Sequence, residues 1–240
     1  LPQKALLPFH GELSCSEYLI KRLMSYPRDI GQIVLATTKR SEDDALEAVA
    51  NAAGIPCLRG EDDDVLGRMV QTAEMYGWDV LVRVTGDDLF PSCECIEDAI
   101  QLHLEESADY TQGKGLPIGM NHEVLDTRTL KRIHEALIEK RHGEWVTWFF
   151  DHKRVCRYQV IETEAYGLDC ERYRVTLDYR EDYDLMREVA RRCHLNQHDF
   201  YIPTAQIVET LRELEPDWLH DDDLYPQKRS EIGIELRFRG

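Results

Sequence analysis

The sequence predicts an α/β fold in which a mostly parallel sheet carries helices on both faces. Short apolar runs alternate with amphipathic stretches of about 10–15 residues, a rhythm typical of repeated strand–helix–strand units. The central run, residues 80–84, is apolar apart from Arg83, which indicates a strand buried on both faces. Asp87 and Asp88 follow this run, at the sheet edge where ligands bind in such folds.

Helix caps and apolar spacing predict the elements before this strand. Ser14 and Glu17 form a capping-box pattern, and Gly54 and Gly77 are placed to end two later helices. The expected order is a helix from Ser14, a buried strand over 31–37, a helix over 41–53, a strand over 55–58 and a helix over 64–77.

After the central strand the pattern becomes less regular. The sequence predicts a helix over 94–106, an irregular segment over 109–120, a short strand at 123–125, and helices over 127–141 and 144–150. Strands over 155–162 and 172–177 and helices over 182–193 and 204–214 follow, with a weakly structured tail from 216. Because no repeat or linker interrupts this order, we expect one domain over 1–240 with an insertion at about 109–162.

Composition limits the classes of partner. The 240 residues carry a formal net charge of −17, so nucleic acid and anionic membranes would repel the protein. No apolar run approaches the roughly 20 residues that span a bilayer. The seven cysteines lack the spacing of a disulfide framework or a paired zinc site. We therefore predict a cytoplasmic protein that acts on small molecules, without a nucleic-acid or membrane partner.

Polar residues that end several predicted strands define a candidate site. These strand ends are Thr37-Thr38, Arg59-Gly60, Thr85-Gly86-Asp87 and Asp178. Since the carboxyl ends of parallel strands meet at one edge, Asp87 and Asp178 could converge on one Mg²⁺ ion, which prefers carboxylate oxygens. Each aspartate alone is also explained as a helix cap or a turn residue.

The segment from Gly60 to Arg68, with the run that ends at Asp87, resembles the cytidylyltransferase family of spore-coat polysaccharide synthesis. That family is related to the synthetases that make CMP-activated keto-deoxy sugars and sialic acids. The resemblance spans about residues 1–190 and includes LPQK at 1–4, Ala36-Thr37, Asp109-Tyr110, Gly119, Glu123, the 144–147 stretch and the 174–178 stretch. It implies a Rossmann-like, doubly wound sheet of the nucleotide-diphospho-sugar transferase type.

The resemblance implies Mg²⁺-dependent transfer of CMP from CTP to a sugar acid, sugar phosphate or similar acceptor, with release of pyrophosphate, in surface glycan biosynthesis. It assigns catalysis to Lys4, Asp87 and Asp178, with both aspartates as metal ligands. Together with the strand ends, it predicts nucleotide binding by Lys4, Thr37, Thr38, Arg59, Gly60, Arg68, Thr85 and Gly86. The acceptor-binding residues that it implies are Arg83, Tyr110, Glu123 and Glu144.

Two of the candidate cations have structural alternatives. Arg68 could pair with Asp64 one helical turn away. Arg83, inside a buried strand, needs a partner, which could be an internal carboxylate or the substrate.

The sequence departs from the family pattern at three places. Trp145 stands where the family has His, and Asp88-Leu-Phe replaces Cys-Pro-Leu, both on the acceptor side. The strand and most of the Gly/Ser/Arg loop that precede LPQK in the family are not in this sequence. We expect about 10–15 residues upstream of Leu1, whose loop would cradle the triphosphate through backbone N–H groups.

Two other functions stay open from the sequence. A metal-dependent glycosyltransferase would also need carboxylates, although its usual Asp-x-Asp does not follow the central strand. A degenerate nucleotide-binding protein is favoured by Trp145. The insertion contains Trp145, Trp148, Phe149, Phe150 and Tyr158. Interface cores favour such residues, and packing on the parent sheet would also explain them. The resemblance to the CMP-sugar synthetases, which pair through their equivalent insertion, favours a homodimer.

Overall fold

The computed structural model describes residues 3–138, 150, 156–163, 170–194 and 199–215. The strands are β1 (Pro8–His10), β2 (Leu13–Ser14), β3 (Leu35–Thr38), β4 (Cys57–Gly60), β5 (Val80–Arg83), β6 (Tyr110–Lys114), β7 (Glu123–Asp126) and β8 (Tyr158–Glu162). The helices are α1 (Cys15–Met24), α2 (Asp44–Ala53), α3 (Val65–Tyr76), α4 (Cys93–Glu105), α5 (Thr127–Ala136), α6 (Arg180–Cys193) and α7 (Thr204–Leu214). The predicted α/β class is confirmed. None of the described helices is long and apolar enough to cross a membrane.

The main sheet has the strand order β5-β7-β6-β8. Strand β7 runs antiparallel to both β5 and β6, and β8 runs parallel to β6. Strands β5, β6 and β8 therefore share one direction, and β7 opposes them. A separate parallel pair, β3 with β4, places Thr37 opposite Arg59 and Thr38 opposite Gly60.

A cavity of about 300 Å³ separates β3 from β5. Its walls come from both strands and from the helices above and below, and include Leu35, Ala36, Leu81 and Val82. Because one edge of each strand faces this cleft, β3 and β5 are only partly buried, whereas their apolar sequences predicted full burial.

Capping residues in the sequence correctly predicted where α1 begins and where α2 and α3 end. Ser14 Oγ accepts the Glu17 N–H at 3.3 Å while the Glu17 carboxylate accepts the Ser14 N–H at 2.7 Å, so the predicted capping box begins α1. Gly54 and Gly77 end α2 and α3 in the left-handed conformation, which glycine adopts without strain.

Two predicted elements are wrong. Residues 109–120 contain β6, whose Gly113 breaks the apolar pattern; pairing with β7 and β8 on its two sides makes it a strand. The predicted strand over 172–177 is an extended segment with a single bridge, from Arg174 to Ile118, because it runs between two loops. The predicted strand over 31–37 starts only at Leu35.

Other expectations fall partly outside the described residues. Helix α5 ends at Ala136, short of the predicted 141, and the chain is described only to residue 138 there. The predicted 144–150 helix and the tail from 216 lie outside, apart from Phe150.

The largest core cluster fixes the edge of the sheet at which the site forms. Leu89 and Phe90 follow the central strand and are fully buried, as are Val175 and Leu177 of the extended segment. All four belong to one cluster, so apolar packing brings these two stretches of chain together.

Candidate active site

Lys4 lies between the two aspartates that the sequence analysis paired. Its Nζ donates to Asp87 Oδ2 at 2.7 Å and to Asp178 Oδ1 at 3.1 Å. Since one ammonium contacts both, the two carboxylate oxygens are no further apart than the sum of these distances. The structure therefore brings together the three predicted catalytic residues, which are 174 positions apart at the extreme.

Backbone contacts hold Asp87 and Asp178 side by side. The Leu177 N–H donates to the Asp87 carbonyl at 3.0 Å, which joins the extended segment to the loop after β5. Leu177 itself is fully buried and anchors the segment in the core. The predicted convergence of strand ends is thus produced by an extended segment rather than by a regular strand.

Asp182 and Arg174 fix the position of Asp178, a role that was not predicted for either residue. Asp182 is fully buried and accepts the backbone N–H groups of Asp178 at 3.0 Å and Tyr179 at 2.8 Å. Arg174 contacts the Asp178 carboxylate and also reaches Asp182 at 3.4 Å. The available signal was positional, because Asp182 lies in the first turn of α6, where a carboxylate caps N–H groups.

The charges in this cluster stabilise one another. Burial alone would lower the pKa of Lys4, but hydrogen bonds and charge from Asp87 and Asp178 outweigh it, so the pKa of Lys4 is raised. Burial alone would raise the pKa of Asp178, but Lys4 and Arg174 outweigh it, so the pKa of Asp178 is lowered. Lys4 is therefore a cation and Asp178 an anion near neutral pH.

Asp88 is a further titratable group that the site assignment did not include. Burial and the neighbouring Asp87 charge raise the pKa of Asp88 to about 6, although hydrogen bonds from Thr85 and Thr176 and the charge of Arg83 oppose the rise. The hydroxyl of Thr85, a predicted nucleotide-binding residue, is held by this carboxylate. Gly86 is exposed beside it and lines the cleft.

The predicted acceptor residues form a buried polar network. Arg83 donates to Glu123 Oε2 at 2.5 Å, and the Tyr110 hydroxyl donates to Glu123 Oε1 at 3.0 Å. Burial alone would lower the pKa of Arg83, but the charge and hydrogen bond of Glu123 outweigh it and the pKa is raised. The internal carboxylate considered for Arg83 is therefore Glu123. The fourth predicted residue, Glu144, lies outside the described residues.

On the nucleotide side, Asp43 organises the end of β3. Its Oδ2 accepts the hydroxyls of Thr37 at 2.7 Å and Thr38 at 2.5 Å, and the Thr38 N–H at 3.0 Å. Burial alone would raise the pKa of Asp43, but these hydrogen bonds and Arg59 lower it. Asp43 lies within the helix predicted over 41–53, and no role was predicted for it. Its partners lie five and six residues earlier, outside that helix.

Arg59 and Gly60 reach this strand end, but the Arg59 side chain is already engaged. Its guanidinium donates to the Thr38 carbonyl at 2.8 Å and contacts Asp44 at 2.6 Å and Glu47 at 2.9 Å. These bonds direct it toward α2, so any contact with a base would come from the backbone of β3 and β4.

Arg68 braces the loop before α3 instead of pairing with Asp64. It donates to the carbonyls of Glu61 at 2.5 Å and Asp62 at 2.9 Å, whereas Asp64 accepts from Gly67 and lies 2.8 Å from His134. Burial lowers the pKa of Arg68. A Cβ on residue 60 would lie 2.5 Å from the Arg68 stem, so this close approach requires Gly60.

The site fits a divalent cation only with help from a ligand. Among the described residues, no group of three or more His, Cys, Asp or Glu side chains could hold a metal ion. Asp87 and Asp178 supply two carboxylates, and the position of the Lys4 ammonium shows that a cation fits between them. Mg²⁺ commonly uses one or two carboxylates together with water and substrate phosphates, which this donor set suits.

Comparison with known proteins places the chain among nucleotide-using enzymes. A family model described as cytidylyltransferase matches residues 1–214. The chain is 31% identical over 192 residues to the spore coat polysaccharide biosynthesis protein SpsF of Bacillus subtilis, covering 78% of this chain and 79% of that protein. It is 30% identical over 212 residues to an uncharacterised protein of Methanocaldococcus jannaschii, covering 88% and 84%.

Solved structures share the fold. A cytidylyltransferase from Leptospira borgpetersenii superposes with a TM-score of 0.79 at 21% identity, covering 92% of both chains. A CMP:2-keto-3-deoxy-manno-octonic acid synthetase in complex with CTP gives 0.53 at 11%, covering 68% and 83%. A molybdopterin-guanine dinucleotide biosynthesis protein A from Archaeoglobus fulgidus gives 0.54 at 10%, covering 79% and 91%. These likenesses confirm the predicted Rossmann-like fold.

Proposed function

This chain belongs to the cytidylyltransferase family and is a nucleotidyltransferase, and on that premise we propose that it transfers CMP from CTP to a small sugar-type acceptor. The observation that carries the proposal is the position of Lys4 between Asp87 and Asp178 at the edge of the sheet. Two carboxylates can hold the metal ion that accompanies a triphosphate, and an ammonium can pair with its phosphates.

In the proposed reaction an acceptor oxygen attacks the α-phosphorus of CTP. The new oxygen–phosphorus bond forms as the bond to the pyrophosphate oxygen breaks, and an acceptor that attacks through a hydroxyl releases its proton to water. Such transfers depend on positioning and charge neutralisation more than on covalent chemistry by the protein. Mg²⁺ held by Asp87 and Asp178 would neutralise charge on the phosphates. Lys4 donates to phosphate oxygens, and Arg174 keeps Asp178 in place.

For the nucleotide, the ends of β3 and β4 offer a fixed set of polar backbone groups. Asp43 and Arg59 tie down Thr37 and Thr38, so their backbone is preorganised to read a cytosine edge. Selection of a pyrimidine would follow from these contacts.

For the acceptor, we propose a sugar acid, a sugar phosphate or a similar small molecule. The Arg83–Glu123–Tyr110 network would give the acceptor side a fixed shape; Tyr110 is fully buried, so direct contact with a sugar would come from the Arg83 or Glu123 side chain. The similarity to a spore coat polysaccharide biosynthesis protein supports a role in cytoplasmic steps of surface glycan biosynthesis.

Pyrophosphate release tests nucleotide and acceptor choice together. The purified protein with Mg²⁺ would be given CTP, UTP, ATP or GTP, each with a panel of sugar acids, sugar phosphates and neutral sugars. We expect release with CTP to exceed that with the other nucleotides by at least about tenfold for one acceptor class. Equal release from CTP and ATP with the best acceptor would refute the cytidine assignment.

We also propose that the protein is a homodimer, although two of the five predicted interface aromatics belong to the core. Phe150 is fully buried, and its ring centre lies 5.1 Å from that of Tyr110. The ring of Tyr158 stacks on that of Tyr110, with the ring centres 4.9 Å apart. The remaining candidates, Trp145, Trp148 and Phe149, lie outside the described residues.

Sedimentation equilibrium at micromolar concentration tests the dimer. A species of twice the chain mass is expected, and a single species at 28.0 kDa would show that no dimer forms.

A further inference from the structure

The ammonium of Lys4 occupies the space that a metal ion would need. It contacts one oxygen of Asp87 and one of Asp178 at hydrogen-bond distance. Mg²⁺ bound to the same oxygens would lie about 2.1 Å from each. An ammonium and a divalent cation cannot share that space, both for steric reasons and because like charges repel.

We propose that Lys4 and the metal ion exchange places, so that Lys4 couples metal binding to CTP binding. When the metal enters between Asp87 and Asp178, the Lys4 ammonium leaves them and pairs with the phosphates of the nucleotide. This inference rests on the proposed function, and it adds a second role for Lys4 beyond phosphate contact.

Lys4 is the member of the cluster that the fold constrains least. It lies on a single 3-10 turn, Lys4–Leu6, none of whose residues is buried. Its side chain is a flexible stem with a compact charge, and among the described residues its ammonium donates to Asp87 and Asp178.

Arg174 is fixed by contrast. Its guanidinium bridges Asp178 and the fully buried Asp182, which also caps α6. When Lys4 departs, Asp178 keeps Arg174 as a neighbouring cation and keeps its backbone position through Asp182. The carboxylate pair is therefore held in place while its counter-ion changes.

The small number of protein ligands makes the exchange cooperative. Two carboxylates alone hold Mg²⁺ weakly, and the metal must also displace an ammonium from them. A bound triphosphate removes both obstacles, because it adds oxygen ligands for the metal and accepts the displaced Lys4. By linkage, whatever factor CTP adds to metal affinity, the metal adds to CTP affinity.

Mn²⁺ binding measured by electron paramagnetic resonance tests the exchange without turnover. Free Mn²⁺ would be titrated into the protein with no nucleotide, and then with CTP and no acceptor, after correction for Mn²⁺ bound to CTP alone. The variants are Lys4→Gln, which removes the charge, and Lys4→Arg, which keeps it. The matched control is Lys131→Gln, which also removes one lysine charge and breaks a surface ion pair with Glu74.

Without nucleotide, we expect Lys4→Gln to bind Mn²⁺ more tightly than the wild type by roughly 5-fold or more, since no ammonium has to be displaced. Lys4→Arg and Lys131→Gln should bind it as the wild type does. With CTP, the gain in Mn²⁺ affinity should be large in the wild type and at least about 5-fold smaller in Lys4→Gln.

Unchanged or weaker Mn²⁺ binding by Lys4→Gln without nucleotide would overturn the exchange. An equal gain in Lys131→Gln would also overturn it, since that gain would reflect net charge alone. The nucleotide-free titration does not depend on which nucleotide the enzyme uses, so it can succeed even if CTP proves to be the wrong substrate.

Discussion

Two charged clusters flank the end of the central strand, and they differ in how freely they can change. Lys4, Asp87 and Asp178 are 33%, 27% and 43% exposed, and their bonds are ion pairs across open loops. Arg83 and Glu123 are only 19% and 10% exposed and lie on paired strands. The exposed cluster can exchange its cation, whereas the buried one holds a fixed shape.

The difference separates two tasks of a transferase site. A cluster that binds metal and phosphate must release one counter-ion and accept another, so weak, solvent-screened pairs suit it. A cluster that orients an acceptor must keep its geometry, so buried and mutually bonded groups suit it. Asp88 lies between the two, next to Asp87 in sequence and within electrostatic reach of Arg83.

The largest stability effect is expected from the buried cluster. Arg83→Met would remove the cation that contacts the buried Glu123 carboxylate, which we expect to lower the free energy of unfolding by about 3–5 kcal/mol. Urea denaturation measures this loss. The double variant Arg83→Met with Glu123→Leu should recover much of it, because neither charge of the pair remains. Additive losses in the double variant would contradict a direct buried pair.

Removing the hydroxyl of Tyr110 should have an intermediate effect. In Tyr110→Phe the ring contacts with Phe150 and Tyr158 remain, and the hydroxyl's bonds to Glu123 and Gln112, each 3.0 Å long, are lost. We expect a loss of about 1 kcal/mol in urea denaturation. A change smaller than about 0.3 kcal/mol would show that these bonds do not stabilise the network.

The smallest stability effect is expected from the exposed cluster. Lys4→Gln should change the free energy of unfolding by less than about 1 kcal/mol at low salt, because its partners are solvated. In 1 M NaCl, where the screening length is about 3 Å, the difference should vanish. A loss above about 2 kcal/mol that persists in high salt would place this cluster with the buried one and remove the contrast.

Local signals in the sequence located most of the fold. The Ser14–Glu17 box, the cap at Asp64 and the glycines at 54 and 77 act within a few residues, so they can be read without knowing the tertiary structure. Strand β6 could not be predicted in this way, because it is stabilised by pairing with β7 and β8, which lie later in the chain.

The candidate site was also predictable in part. Asp87 and Asp178 lie together as predicted, with Lys4 between them, although Asp178 follows an extended segment and not the strand on which the prediction relied. The roles of Asp43 and Asp182 were hidden, since helix-capping carboxylates look alike in sequence whether or not they also hold a site.

The central claim is that nucleotidyl transfer takes place at the Lys4–Asp87–Asp178 cluster, and Asp87→Asn tests it most directly. CTP-dependent pyrophosphate release should fall by about 10²–10³-fold, since one of the two carboxylates proposed to hold the phosphate-neutralising Mg²⁺ is lost, with the unfolding curve unchanged. Asp184→Asn, which breaks a 3.0 Å surface pair with Arg180, is the control and should retain full activity. Activity of Asp87→Asn within about threefold of the wild type would place the chemistry elsewhere.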